Sequence, residues 1–280
     1  MKNFNYVLRN ITILLVVAVT LNSCSESNED VLIDNAANDA VELARSAEVD
    51  AASSSVTDIV TEIFEFDEAN PNSRVQPPAL PDCVTITVVA EQGFREVTID
   101  FGTEGCLVRG HILKGQIVFS YTRDIEAQEV LITYDLVDFY FDNKNVLGNR
   151  TILRTRENDN GNPQFTHNLD LTVIWPNGVQ ASRNGTKIRE WVEGFGSGIF
   201  SDNVFEVSGD WTTTFVNGNT HTYEVITPLR REVICTYFVS GTLDIQRTNF
   251  GGIFDYGNGD CDNQASFTFN NGTEISITLN

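Results

Sequence analysis

Val84-Thr85-Ile86-Thr87-Val88 alternates apolar and polar side chains, turns at Gln92-Gly93, and returns as Val97-Thr98-Ile99-Asp100-Phe101. A period of two places every second side chain on one face of an extended strand, and two such runs across a glycine turn read as a β-hairpin. The pattern continues through residues 115–121, 130–141, 151–156, 165–175, 179–191, 205–215, 223–226, 233–245, 267–269 and 275–279. Asn-Gly begins at Asn160, Asn177, Asn184, Asn217, Asn258 and Asn271; at 177, 217 and 271 it separates two apolar alternations, a strong hairpin signal. At Asn184 it falls inside a candidate strand, where a bulge or a break is expected. No segment after residue 82 has a helical period. The expected fold is all-β: an antiparallel meander of about a dozen strands, forming a curved sheet or a two-layer sandwich, with a short acidic helical or flexible segment before it.

The all-β region, 83–280, begins where the prolines end. Four of the seven prolines lie at 71, 77, 78 and 81, so 71–82 reads as an extended linker. Residues 25–70 hold thirteen acids and a single base, Arg45. Ala36–Ala47 could form a helix, with Val41 and Leu43 as its large apolar residues. The stronger candidate is 55–66, where Val56, Ile59, Val60 and Ile63 fall at helical spacing. Neither window has enough apolar surface to fold alone, so 24–70 reads as a charged, mostly flexible spacer. The competing reading docks the helix on the β domain through Ile59, Ile63 and Phe64.

Residues 1–23 have the form of a secretory signal peptide: Lys2 and Arg9, then the apolar run Ile11–Val19, then the small residue Ser23. Leu21-Asn22-Ser23-Cys24 resembles the lipobox of bacterial lipoproteins. That resemblance implies a diacylglyceryl group on the Cys24 thiol, cleavage before Cys24, and acylation of the new amino terminus. Two or more acyl chains give a stable membrane anchor. The acidic cluster Ser25-Glu26-Ser27-Asn28-Glu29-Asp30 resembles the export signal of surface-exposed lipoproteins of the Bacteroidetes, which implies outer-membrane localisation with surface exposure. The C-terminal Asp-Tyr-Gly-x-Gly-x-Cys-Asp turn, residues 255–262, and the final hairpin are similar to uncharacterised lipoproteins of the same group.

The formal net charge is −21, and removing Lys2 and Arg9 with the signal takes it to −23. Such a chain repels phosphate backbones and anionic headgroups, so nucleic acid is excluded as a partner and membrane attachment falls to the lipid. Setting Cys24 aside leaves Cys83, Cys106, Cys235 and Cys261, which in an exported chain read as two disulfides with three connectivities. Ile99–Cys106 and Phe254–Cys261 both read Asp-aromatic-Gly-x-x-x-Cys after an apolar residue. Each is preceded by another cysteine. The same element twice gives Cys83–Cys106 and Cys235–Cys261, and hints at two related halves, 83–157 and 205–280.

Candidate chemistry is sparse. His111, His167 and His221 lack metal-ligand spacing and read as polar-face strand residues. Asp255, Asn258, Asp260 and Asp262 could offer oxygens to Ca²⁺, although the spacing is not that of an EF-hand and the same residues serve turns. Otherwise no cofactor is implied. Asp135, Asp138, Asp142, Glu190 and Glu193 are carboxylates that a glycosidase could use. Trp175, Trp191, Trp211, Tyr134 and Tyr140 could form a carbohydrate platform, or fill a core. The resulting expectation is a lipid-anchored cell-envelope protein acting as a binding or structural module for a glycan or another envelope protein. A polysaccharide-acting hydrolase and a carrier of an apolar ligand are the alternatives.

Overall fold

A computed structural model describes residues 28–70, 80–124, 126–247 and 250–279. Residues 1–27, which hold the expected signal segment and Cys24, and residues 71–79 of the expected linker lie outside the described residues. The chain forms two compact units, Met1–Leu43 and Ala44–Asn280. Among the described residues one α-helix, α1, runs Asn28–Ala69, with a single 3-10 turn at Phe200–Asp202. Fifteen strands follow: β1 Thr85–Glu91, β2 Phe94–Asp100, β3 Cys106–Val108, β4 His111–Thr122, β5 Glu129–Phe141, β6 Lys144–Leu147, β7 Asn149–Thr155, β8 Gln164–Ile174, β9 Gln180–Glu193, β10 Val204–Phe215, β11 Thr220–Glu232, β12 Ser240–Arg247, β13 Phe250–Asn258, β14 Gln264–Phe269 and β15 Glu274–Thr278.

They form one antiparallel meander in which almost every strand pairs with the next in sequence. β6 and β7 are two pieces of one strand between β5 and β8, parted at Gly148. In the opening hairpin Val88 faces Val97 and Ile86 faces Ile99. Burial alternates along most strands. On β5, Val130, Ile132 and Tyr134 are buried while Leu131, Thr133 and Asp135 are exposed.

α1 from Ala44 onward is part of this body. Nine consecutive residues, Val56 to Phe64, are each at most 6 % exposed. A helix lying on a flat sheet hides only one stripe, so burial all round means that the sheet curls about it. The segment is helical well beyond 55–66, and its second half is docked, through Ile59, Ile63 and Phe64 among others. Residues 44–69 are therefore not the flexible spacer that their composition implied. Val49, Ala52, Val56, Ile59, Val60, Ile63 and Phe64 join one apolar core with Val97, Ile117, Phe119, Ile132, Phe165 and Val173 of the strands.

The curl has a visible device. Lys114/Gln116 marks a register shift on β4, where Gly115 has φ +78° and a Cβ would sit 2.1 Å from the Asp138 carbonyl oxygen of β5. Two strands approach closely there because no side chain stands between them. Asn184-Gly185 lies within β9 and neither bulges nor breaks it. Its pairing with β8 and β10 is continuous, and Gly185 admits the backbone of Trp211, which a Cβ would meet at 2.5 Å. Glycine kinks on successive strands are how a sheet turns a corner.

Several strand boundaries differ from the sequence pattern: β3 and β6 are absent from it, and β11 is longer than 223–226. Residues 233–239 precede β12 rather than belonging to it, because the Cys235–Cys261 disulfide and a hydrogen bond from the Arg231 guanidinium to the Cys235 carbonyl shape a turn there. β13 went unseen, since Gly251-Gly252 interrupts the alternation. Both glycines sit against the neighbouring strands, and a Cβ on Gly252 would lie 2.8 Å from Phe269 Cα.

α1 stops for local reasons. Pro71 disfavours helix at the preceding residue, and Asn70 donates from its backbone and its side-chain amide to the Phe66 carbonyl at 2.9 and 3.0 Å. Asp67 and Glu68 in the last turn oppose the helix dipole. Arg95 and Arg123 neutralise them, and Arg123 also donates to the Glu68 carbonyl.

Candidate functional site

The chemistry of this chain is concentrated inside it. Ser46, Asp50, Ser54, Asp58, Glu62 and Glu65 recur every three or four residues, so they form a polar stripe along α1 opposite the apolar one. This stripe is buried too, against strands whose inward positions carry bases. On β7 these are Arg150 and Arg154; on β9, Arg183, Lys187 and Arg189; on β11, Arg231. Their parity matches that of the apolar core residues beside them, as in Arg150-x-Ile152-x-Arg154.

Every acid between Ala44 and Ala69 meets a base of the β body. Asp50 takes a hydrogen bond from Lys187 Nζ at 2.5 Å and another from Arg183. Asp58 bridges Arg189 at 2.6 Å and Arg231 at 3.1 Å. Glu62 pairs with Arg109, Glu65 with Arg154 at 3.2 Å, Asp67 with Arg95 at 3.4 Å and with the Tyr121 hydroxyl, and Glu68 with Arg123 at 3.3 Å. Glu48 accepts from Trp175 Nε1 at 2.6 Å and lies 3.5 Å from Lys144 Nζ. Arg183 is fully buried, and its other nitrogens donate to Thr213 Oγ1 and Ser46 Oγ. Lys187 lies 4.2 Å over the Trp211 ring, and Arg189 the same distance over Phe205, contacts favourable to a desolvated cation.

Burial and pairing compete at these groups. At Asp50, burial pushes the carboxyl up, but Arg183 and Lys187 together outweigh it and hold the group below its usual range; Arg189 and Arg231 do the same for Asp58. Burial wins at Glu62 and Glu65, which are raised despite Arg109 and Arg154. Burial also brings the Lys187 ammonium down to about 8 against the pull of Asp50. The signs give a pH profile. Glu62 and Glu65 bind protons more tightly folded than unfolded, so their protonation adds stability as pH falls from neutrality toward their ordinary value of 4.5. Asp50 and Asp58 contribute stability that is complete above 3.8 and lost as pH falls through their lowered values. Between pH 7 and about 4.5 that gain is opposed by His167, which burial holds neutral in the fold while the imidazole of the unfolded chain takes up a proton near 6.5. Below about 3.8 the thermal midpoint is expected to fall as Asp50 and Asp58 are protonated; calorimetry checks it, and a midpoint that does not move between about pH 4 and about pH 2 would refute the assignment.

The candidates named from sequence are mostly structural. The disulfides are Cys83–Cys106 and Cys235–Cys261, with Cα separations of 5.7 and 5.5 Å. The two Asp-aromatic-Gly turns share one geometry: Asp100 Oδ1 accepts from Gly102 N at 2.7 Å, and Asp255 Oδ1 from Gly257 N at 2.8 Å. Asp262 caps Gln264 N at 2.9 Å. Asp255 and Asn258 belong to β13, with Asp260 and Asp262 beyond its end, and no group of three metal-holding side chains occurs among the described residues.

The carboxylates considered for hydrolysis are engaged separately. Asp142 accepts from Ile112 N and lies 3.2 Å from His111 Nδ1. Glu190 is held by Asn160 and Asn162, and Glu193 by Arg230. Asp138 sits at the β5 kink with φ 46°, and Asp135 faces outward. Of the proposed aromatic platform, Trp191, Trp211 and Tyr134 are buried, Trp175 is partly buried and bound to Glu48, and Tyr140 is exposed. His167 and His221 lie on the inward side rather than the polar face, and His221 is 3.2 Å from the Tyr223 hydroxyl.

The unit Ala44–Asn280 is thus an antiparallel meander wrapped about the acidic helical segment 44–69 through a buried ion-pair network. Comparison of the chain with protein-family models, with characterised proteins and with solved structures gives no match.

Proposed function

We propose that this is a lipid-anchored cell-envelope protein, held to the outer membrane and facing outward through a diacylglyceryl group on Cys24, and acting as a binding or structural module. The observation that carries the second part is the engagement of all the acids of α1 from Glu48 to Glu68 by the β body. The helix fills the interior where a carrier would keep its ligand, and partners are left the outer face of the sheet. The lipobox ending at Cys24, the acidic Ser25–Asp30 and the two disulfides, which fit an oxidising compartment, support the address. A glycan or another envelope protein is the partner class.

Mass spectrometry of the protein from its native host is expected to find acyl chains on Cys24. Cys24→Ser is expected to move it from the membrane to the soluble fraction, and protease added to whole cells is expected to digest the lipidated form. Retention of Cys24→Ser in the membrane, with no lipid on the natural chain, would overturn the anchor. A glycan and envelope-protein screen with the intact folded body identifies the partner.

A further inference from the structure

Pairing inside the sheet is complete for the acids from Glu48 to Glu68 but not for the bases. Around the middle of the helix, two carboxylates, Asp50 and Asp58, face four cations, Arg183, Lys187, Arg189 and Arg231. Beside them lies a small hollow, lined on the helix by Ser53 and Thr57 and on the strands by His167, Lys187, Arg189 and Arg231, with no carboxylate among its lining residues. Arg189 Nη1, Arg231 Nε and both ring nitrogens of His167 are buried and have no hydrogen-bond partner. Their residues are nine-tenths or more buried. Buried donors are ordinarily satisfied, and a cluster of unpartnered ones around a hollow points to a small polar ligand. Burial together with the nearby Arg189, Lys187 and Arg150 holds His167 neutral, and a neutral imidazole still offers one N–H. The hollow has room for one small inorganic species and none for an organic molecule.

We propose that this hollow binds one monovalent anion of halide size, chloride in the setting of the envelope. Arg189 Nη1, Arg231 Nε, a His167 N–H and the Ser53 and Thr57 hydroxyls are its donors. An anion there would offset the excess of buried positive charge, which is costly when uncompensated. It would also bring helix and sheet together, since its donors come from α1, β8, β9 and β11. The inference is independent of the anchor and of any external partner.

The test uses the full chain purified in detergent, melted at constant ionic strength in sodium chloride, sodium bromide or sodium gluconate. Chloride and bromide are expected to raise the midpoint saturably, by about 4 °C or more over gluconate. Thr57→Asp, which supplies a carboxylate within the hollow, is expected to melt in gluconate at or above the wild-type value in chloride and to lose the halide effect. Ser53→Asp makes the same test if the first variant does not fold. Crystals grown in bromide are expected to show an anomalous peak between Arg189 and His167. Equal wild-type midpoints in all three salts, or a bromide-grown crystal with only water in the hollow, would overturn the proposal.

Discussion

Asp58→Asn is expected to destabilise the protein by about 3–5 kcal/mol, because breaking a buried ion pair from one side leaves uncompensated charge behind. Here two guanidinium groups, Arg189 and Arg231, lose one shared carboxylate, all three residues being at most 9 % exposed. The midpoint of urea unfolding, with the m-value as a check on two-state behaviour, measures the loss. Two controls separate burial from charge. Glu193→Gln breaks the Arg230 pair where the glutamate side chain is 57 % exposed, and is expected to cost well under about 1 kcal/mol. Replacing Asp58, Arg189 and Arg231 together by apolar residues of similar size is expected to recover much of the loss, as buried ionic clusters often do. An Asp58→Asn cost no larger than that of Glu193→Gln would mean that the interior is hydrated and the network is not dry.

A chain beginning at residue 80 is expected not to fold. It would lose the burial of Val49, Val56, Ile59, Val60, Ile63 and Phe64, each worth about 1.5–3 kcal/mol. Their sum is of the order of the whole stability of an ordinary domain, about 5–15 kcal/mol. Nine of the fourteen Lys and Arg between residues 80 and 280 would also face an empty interior without their acids. Lost near-UV circular dichroism and rapid proteolysis are the expected signs. A peptide spanning 44–70, added during refolding, is expected to restore both. A truncated chain with a cooperative melt of its own would show that α1 is an accessory. Partner screens therefore need α1 present; the Cys83 start that the strand pattern invites removes a wall of the core.

The strand half of the molecule was legible because burial on one face leaves a period of two in the sequence, and the Asp-aromatic-Gly repeat paired the cysteines. The helix itself is legible, but the choice between a flexible spacer and docking through Ile59, Ile63 and Phe64 is not, for a physical reason. Its acids look solvated in isolation, and only Val56, Ile59, Val60 and Ile63 announce a buried face. The complementary evidence was in the strands, where Arg150 and Arg154 flank Ile152, and Arg183, Lys187 and Arg189 run in phase with Ala181 and Trp191. Bases at core parity signal an acidic partner. Which segment supplies it is a matter of distance in three dimensions, which no local window holds. Gly185 was misread likewise, since its need comes from Trp211 across the strand pair.

The two partners of Asp58 stand 131 and 173 residues further along the chain. Arg189 and Arg231 emerge from the ribosome long after α1, so during synthesis that segment waits in water with its acids hydrated. Contacts that distant make folding slow and late, and the hairpins, whose pairing is local, can form first. Assembly ends when the ribbon of hairpins closes around that segment and strips its water. That closing step is the one at which a chaperone would find an exposed greasy stripe to hold.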